Sequence, residues 1–292
     1  MKIAIYGRPN RGQTQDCALL LIALLDKHQI AWCISDKLAE LLGKAGQALP
    51  QGQIYTPEDG LPQGCDVVCS LGGDGTLLEA VAFTAHLGVP VAAVHTGRLG
   101  FLSTTSFGGL DDLVRRLQSG DYGLDERTML QLDDPTGLFG SRNFALNEVA
   151  IMKRDTGAMI TVHAFLNGAY LNSYWADGLI IATPTGSTGY SLSCGGPIVM
   201  PASRSFVLTP VAPHNLNVRP LVIPDESHLA FTVEGRSKKW LLSLDTRSRP
   251  IEMDERFEVC RSSFAARLVR LPQDSFTDTL RSKLYWGADL RN

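Results

Sequence analysis

The chain has 292 residues, 44% of them hydrophobic and 20% charged, with a formal net charge of -3. This is the composition of a globular protein with enough chain for about two domains. It has neither the basic block that nucleic-acid binding needs nor an apolar run long enough to span a bilayer.

Residues 1–122 alternate strand and helix signals. Lys2 to Gly7 reads as a buried first strand, not a signal peptide. Asp16 to His28 carries Leu19, Leu20, Ile22, Ala23 and Leu24 at helical spacing. Ile30 to Ile34 is a second strand and Asp36 to Gly43 a second helix. Gln47 to Gln63, polar and rich in Gly and Pro, reads as a loop or weak strand. Then come an apolar strand from Asp66 to Leu71, a glycine turn, a helix packed on one face from Leu77 to Phe83, and a strand from Val89 to Val94. Together they make a βαβ unit, whose glycine loop lies where such units bind ligands. A helix from Leu110 to Ser119 closes the region.

The glycine turn is Gly72-Gly73-Asp74-Gly75-Thr76. Its backbone and the following helix N-terminus suit a phosphate. The Lys-Ser/Thr pair of a P-loop and the G-x-G-x-x-G spacing are both missing. Asp74 stands in place of a lysine. A carboxylate beside a phosphate is repulsive unless a metal intervenes or it faces a hydroxyl. The pattern therefore suggests phosphoryl transfer to an alcohol, with Asp74 as base or metal contact. The plainer reading makes Asp74 a turn or N-cap acid, with Thr76 and Glu79 as a capping box.

From Tyr122 the period shifts toward two. Strands are expected at 128–132, 143–152, 160–166, 170–175, 179–183, 205–208, 228–233, 239–244, 257–260 and 266–271. Asn167-Gly168 is a hairpin signal. Such a series suggests a sandwich or layered antiparallel domain. A last helix, from Phe276 to Trp286, is expected to pack back on the first domain. Thr183 to Pro197 is dense in hydroxyls and glycine, and too long for an ordinary turn. It could offer donors to ribose or phosphate oxygens, with Tyr190 as an aromatic face for a base. Asn147-Glu148 interrupts an apolar strand. The pair could read an adenine edge or a ribose diol, or be one outward and one buried polar residue. Asp177 is either a ligand acid or a strand-start acid. His95 ends a strand beside a turn and could line a cleft. His28 and His86 read as helix-end residues. The six cysteines, at 17, 33, 65, 69, 194 and 260, form no C-x-x-C pair or zinc spacing, and read as buried free thiols in a reducing cytoplasm.

Three of these signals, in this order, resemble the NAD kinase family: Gly72 to Thr76, Asn147-Glu148, and Asp177-Gly178 followed by Thr183 to Tyr190. Gly97 to Phe101 and Pro213 to Leu221 are similar to further family stretches. The resemblance implies an α/β, Rossmann-like N-terminal domain with a parallel sheet over residues 1–122, joined by 275–292. A mainly antiparallel β domain spans 123–274. It also implies a kinase that transfers phosphate from ATP, with Mg2+ or Mn2+, to the adenosine-ribose 2′-hydroxyl of NAD. Asp74 takes the place of the catalytic acid. Gly73, Asp74, Gly75, Phe101, Asn147, Glu148, Asp177, Thr185, Thr188, Gly189, Tyr190 and Ser193 fall at NAD. Gly72, Gly73, Gly75, Thr76 and Arg98 fall at the ATP phosphates. A cytoplasmic homodimer or homotetramer is implied, with no nucleic-acid or membrane partner. Two departures stand out: Gly189 replaces an alanine, and Asp245-Thr246-Arg247 stands where many members have Asp-Gly-Gln. The loop Gly7 to Asn10 fits only loosely and receives no role. Against a lipid kinase stand the Asn-Glu pair and the hydroxyl loop. Against a non-catalytic NAD sensor stands Asp74, and against an oxidoreductase the missing dinucleotide fingerprint.

Overall fold

The computed structural model describes residues 1–9, 13–44, 46, 49, 54–133, 137–155, 159–236, 239–252 and 255–285. Asn10, most of 47–53 and Trp286 lie outside the described residues. The chain forms two compact units, Met1–Glu126 with Ala266–Asn292, and Arg127–Ala265.

The first unit is built on one sheet. Its strands run in the order Ile54–Tyr55, Ala31–Ser35, Lys2–Gly7, Val67–Leu71, Val91–His95, Ala266–Arg270, Gly123–Arg127, and Thr105–Ser106 pairs with Val91–His95. Lys2–Gly7 lies parallel between Ala31–Ser35 and Val67–Leu71. Helices cover the sheet, so Val67–Leu71 is buried throughout and reads as an unbroken apolar run. Ile3, Ile5, Leu21, Leu25, Ile34, Leu38, Val94, Leu113 and Leu117 share its core. The order reverses between Lys2–Gly7 and Val67–Leu71. At such a switch point the carboxyl ends of the strands leave a crevice, and the glycine turn begins there.

Two expectations change in this unit. The helix Asp74–Thr84 is not apolar on one face only: Thr76 to Leu78 and Ala80 to Thr84 are all buried, because it is enclosed on several sides. The strand Ala266–Arg270, expected among the β strands of the second domain, pairs parallel with Val91–His95, and Gly123–Arg127 joins the same sheet. The unit boundaries thus fall at Glu126 and Ala266, where residues 122 and 275 were expected. Nothing local in a short apolar strand says which sheet will accept it. The C-terminal helix, Phe276–Leu284, belongs to this unit, with Ser275 as its N-cap and Leu280 buried.

The second unit stacks two six-stranded antiparallel sheets. One runs Leu221–Pro224, Ser205–Val211, Gly178–Ala182, Glu148–Lys153, Lys239–Leu244, Arg247–Glu252; the other runs Ala169–Ala176, Ile160–Leu166, Leu229–Gly235, Phe257–Arg261, Leu130–Asp133, Phe144–Ala145. Alternate residues of both face inward, among them Val149, Ile151, Val162, Phe206, Phe231 and Trp240. Gly178–Ala182 is apolar on both faces because Ile180 and Ala182 pack outward with Ala150 and Val207, under Cys194 and Val199. The hairpin at Asn167-Gly168 forms with both residues at positive φ, 50° and 83°. Arg247–Glu252 was not foreseen. It carries Pro250, and as an edge strand it tolerates the missing N–H. All six cysteines are free thiols.

The strand expected over 143–152 is in fact two, Phe144–Ala145 in one sheet and Glu148–Lys153 in the other. Asn147 therefore lies in a step between sheets, not in an alternating strand.

Candidate active site

In the first unit Gly73 is the N-cap of the helix Asp74–Thr84 and no side chain caps it. The capping-box reading fails, because Glu79 is used elsewhere. It accepts from the Tyr6 hydroxyl at 2.8 Å and from Arg8 Nε at 2.8 Å and Nη2 at 2.5 Å. Burial pushes the Glu79 carboxyl up, but these bonds outweigh it and hold the group below the usual range.

Asp74 does not cap the helix either. Its Oδ2 accepts from Phe101 N–H at 2.8 Å, and its Oδ1 from the N–H groups of Leu102 and Ser103, both at 3.1 Å. Gly100 permits this grip, since a Cβ there would stand 2.0 Å from Asp74 Oδ1. Beside the turn lies a cavity of about 490 Å³ lined by Arg8, Pro9, Thr14, Leu71, Gly72, Gly73, Gly75, Thr76 and Thr96. Asp74 is absent from that lining. The carboxylate is turned to residues 101–103, and three glycines of the turn are among the residues that line the cavity. This removes the repulsion that an acid in a phosphate loop would cause. Arg98 is exposed and does not line the cavity. The cation that does is Arg8, to which the sequence assigned nothing. His95 is occupied locally, its Nδ1 donating to Gly97 O at 3.0 Å.

In the second unit the step at Leu146-Asn147 is held by a residue almost a hundred positions away. Asp245 Oδ2 accepts from Leu146 N–H at 2.9 Å, and Oδ1 from Asn147 at 2.7 Å and Glu148 at 3.2 Å. Asp245 sits at φ 52° in the turn between Lys239–Leu244 and Arg247–Glu252, and Arg247 donates to the carbonyls of Arg142 and Phe144. Thr183 closes the step from the other side, its Oγ1 donating to Leu146 O at 2.6 Å. Gly186 packs on the Asn147 carbonyl so closely that a Cβ would meet that oxygen at 2.0 Å. The result is a rigid pair whose outer atoms are unused: Asn147 Oδ1 and Glu148 Oε2 are buried and meet no protein partner. Both atoms keep hydrogen-bonding capacity that a ligand can use.

Burial, with Asp245 close by, pushes the Glu148 carboxyl up to about 8. The folded protein therefore keeps this proton at pH values where an unfolded glutamate, near ~4.3, has lost it. Stability from the neutral carboxyl is complete below that unfolded value and is lost as the pH rises toward 8. Thermal unfolding of the free protein should show a midpoint that falls over this window, and Glu148→Gln should flatten the fall. Equal slopes in both proteins would remove Glu148 as its source.

The hydroxyl-rich loop folds into a turn at Gly186–Thr188 and a short helix at Tyr190–Ser193. Much of its polarity is spent on itself. Ser187 Oγ donates to Pro184 O at 2.7 Å, and the Ser191 and Thr209 hydroxyls lie 2.8 Å apart. Thr185 is buried, its Oγ1 accepting from Arg127 at 3.2 Å. Thr188 and Gly189 are half-buried, and Tyr190 and Ser193 are exposed. A Cβ on Gly189 would stand 3.3 Å from Glu148 Oε2, so the alanine of the family pattern would press on this pair. Asp177 is neutralised by Lys153 Nζ at 2.6 Å. Among the described residues no three His, Cys, Asp or Glu side chains converge as a metal cage.

Residues 3–122 match the ATP-NAD kinase N-terminal domain and residues 146–271 the ATP-NAD kinase C-terminal domain. The NAD kinase of Cytophaga hutchinsonii is 44% identical over 293 residues, the whole of both chains. That of Flavobacterium johnsoniae is 41% identical over 294 residues, again the whole of both. The NAD kinase of Porphyromonas gingivalis is 43% identical over 290 residues, covering 99% of each. Among solved structures the fold is shared with yeast NADH kinase complexed with NADH, at TM-score 0.86 and 23% identity, covering 100% of this chain and 89% of that one. It is shared also with an Archaeoglobus fulgidus NAD kinase in complex with ATP, at TM-score 0.73 and 23% identity, covering 98% of this chain and 99% of that one. The glycine turn with its sequestered acid and the Asn-Glu step thus sit in the two halves of a known enzyme architecture, and the chain belongs to the NAD kinase family.

Proposed function

We propose that this kinase transfers the γ-phosphoryl group of ATP to the adenosine-ribose 2′-hydroxyl of NAD, giving NADP and ADP, with Asp74 as the base. The observation that carries this reading is the state of the Asp74 carboxylate. Three N–H bonds fix it beside a glycine turn, and they fill three of the roughly four lone-pair positions of a carboxylate. One position is left to accept a proton from an alcohol. An oriented acceptor and a positioned phosphate are the two things phosphoryl transfer asks of a protein.

The peptide groups of Gly72, Gly73, Gly75 and Thr76 line the cavity that would take the phosphates of ATP, at the N-terminus of the helix Asp74–Thr84. The solved relatives named above were bound to ATP and to NADH, which supports a nucleotide donor and a dinucleotide acceptor here. Asn147 and Glu148 suit the adenosine. A neutral Glu148 can donate to a ring nitrogen or ribose oxygen as well as accept. Phe101, Asp177, Thr185, Thr188, Gly189, Tyr190 and Ser193 complete the NAD assignment, with Thr185 acting through its place in the fold. Magnesium or manganese would arrive on the phosphates of ATP, its usual carriers, and would neutralise the charge there. A cytoplasmic homodimer or homotetramer fits the family.

Incubation of the pure protein with NAD, ATP and magnesium, read with an NADP-specific dehydrogenase, should give steady NADP formation. Binding of NAD without NADP formation would replace this reading with that of a sensor.

A further inference from the structure

The grip on Asp74 depends on a loop that has little structure of its own. Between the strands Val91–His95 and Thr105–Ser106 the backbone is irregular, and its middle supplies all three N–H groups that hold the carboxylate. The loop is fastened from far along the chain. Lys283 Nζ donates to Leu99 O at 2.5 Å and lies 5.7 Å from the centre of the Phe101 ring. Both contacts flank Gly100, the point of closest approach to Asp74.

Lys283 is not a surface cation that happens to touch a carbonyl. It is half-buried in the helix Phe276–Leu284, three positions after the buried Leu280 and so on its inner face. Among the described residues no acid pairs with it; its ammonium is given to one peptide carbonyl and one aromatic face. Its hydrogen bond and its ring contact both go to the loop that holds Asp74.

We propose that Lys283 is a positioning residue for phosphoryl transfer. It latches the loop 99–103 so that its three N–H groups hold the Asp74 carboxylate in one orientation. The proposal rests on the reading of Asp74 as the base.

The test is a double-mutant cycle on the full-length enzyme. Lys283→Met keeps the length and the apolar contact with Phe101 but removes the donor and the charge. It should lower kcat about 10-fold, inside the ~10²-fold that a misplacement on the order of 1 Å costs, with KM for NAD within about twofold. Lys283→Arg, which can still donate and still stack, should recover most of the loss. In the Asp74→Asn background Lys283→Met should have no further effect on kcat, because the group through which it acts is gone. A purely structural lysine would lower kcat by the same factor in both backgrounds. That additivity, or an unchanged kcat in the single variant, overturns the latch and leaves the base reading standing. Full turnover in Asp74→Asn alone overturns the base reading and the latch with it.

Discussion

Asp74→Asn is expected to lower kcat for NADP formation by about 10²-fold or more, the scale of lost general-base help. The structure adds a second effect. An asparagine has one acceptor oxygen where the aspartate has two. If it keeps the bonds to Leu102 and Ser103, its amide nitrogen meets the Phe101 N–H, donor against donor. The variant should therefore also lose about 1–3 kcal/mol of stability, the penalty for an unsatisfied donor. Kinetics and thermal unfolding of the same preparation separate the two. Asparagine with normal turnover would take Asp74 out of the chemistry. Slow turnover with unchanged stability would mean that the loop rearranges to suit the amide.

The second large effect is expected at Asp245. Asp245→Ala leaves the N–H groups of Leu146, Asn147 and Glu148 without their acceptor and Arg247 without its nearby anion. A loss on the order of 2–4 kcal/mol follows for equilibrium denaturation. Asp245→Asn, which can still accept from Asn147 and Glu148, should fall between alanine and the natural residue. Because two of those N–H groups belong to the pair assigned to adenosine, KM for NAD should rise in the same order. A stability loss with KM unchanged would make Asp245 a structural residue only.

These two acids also show what was legible in the sequence. The apolar run ending at Leu71 and the glycine turn after it are local signals, and the βαβ unit they announce is present. That Asp74 is an unusual residue was legible in the oddity of an acid in a phosphate loop. That the acid would be turned away to residues 101–103 was not, because the partners are peptide groups that carry no signature in sequence. Asp245 drew no role in the sequence: it is only the first residue of Asp245-Thr246-Arg247, where many members have Asp-Gly-Gln. Its partners lie 97 to 99 positions away, and pattern reading within a window does not reach them. The hydroxyl loop was read as an array of donors for a ligand. The structure spends Ser187 and Ser191 on holding the loop itself, and composition alone does not distinguish a donor in use from a free one. The strand Ala266–Arg270 was found but given to the wrong sheet, since its pairing with Val91 is a tertiary choice.

The step at Leu146-Asn147 has a consequence for how this chain can vary over time. Two residues carry the backbone from the sheet of Phe144–Ala145 to that of Glu148–Lys153, with both ends pinned. An inserted or deleted residue here could not be absorbed as loop slack. It would slip the following strand by one position and trade Val149 and Ile151, now in the core, for Ala150 and Met152. Mutation can change residue types around the step, but its length is frozen, so related sequences should differ freely in loop length elsewhere and never between Ala145 and Glu148.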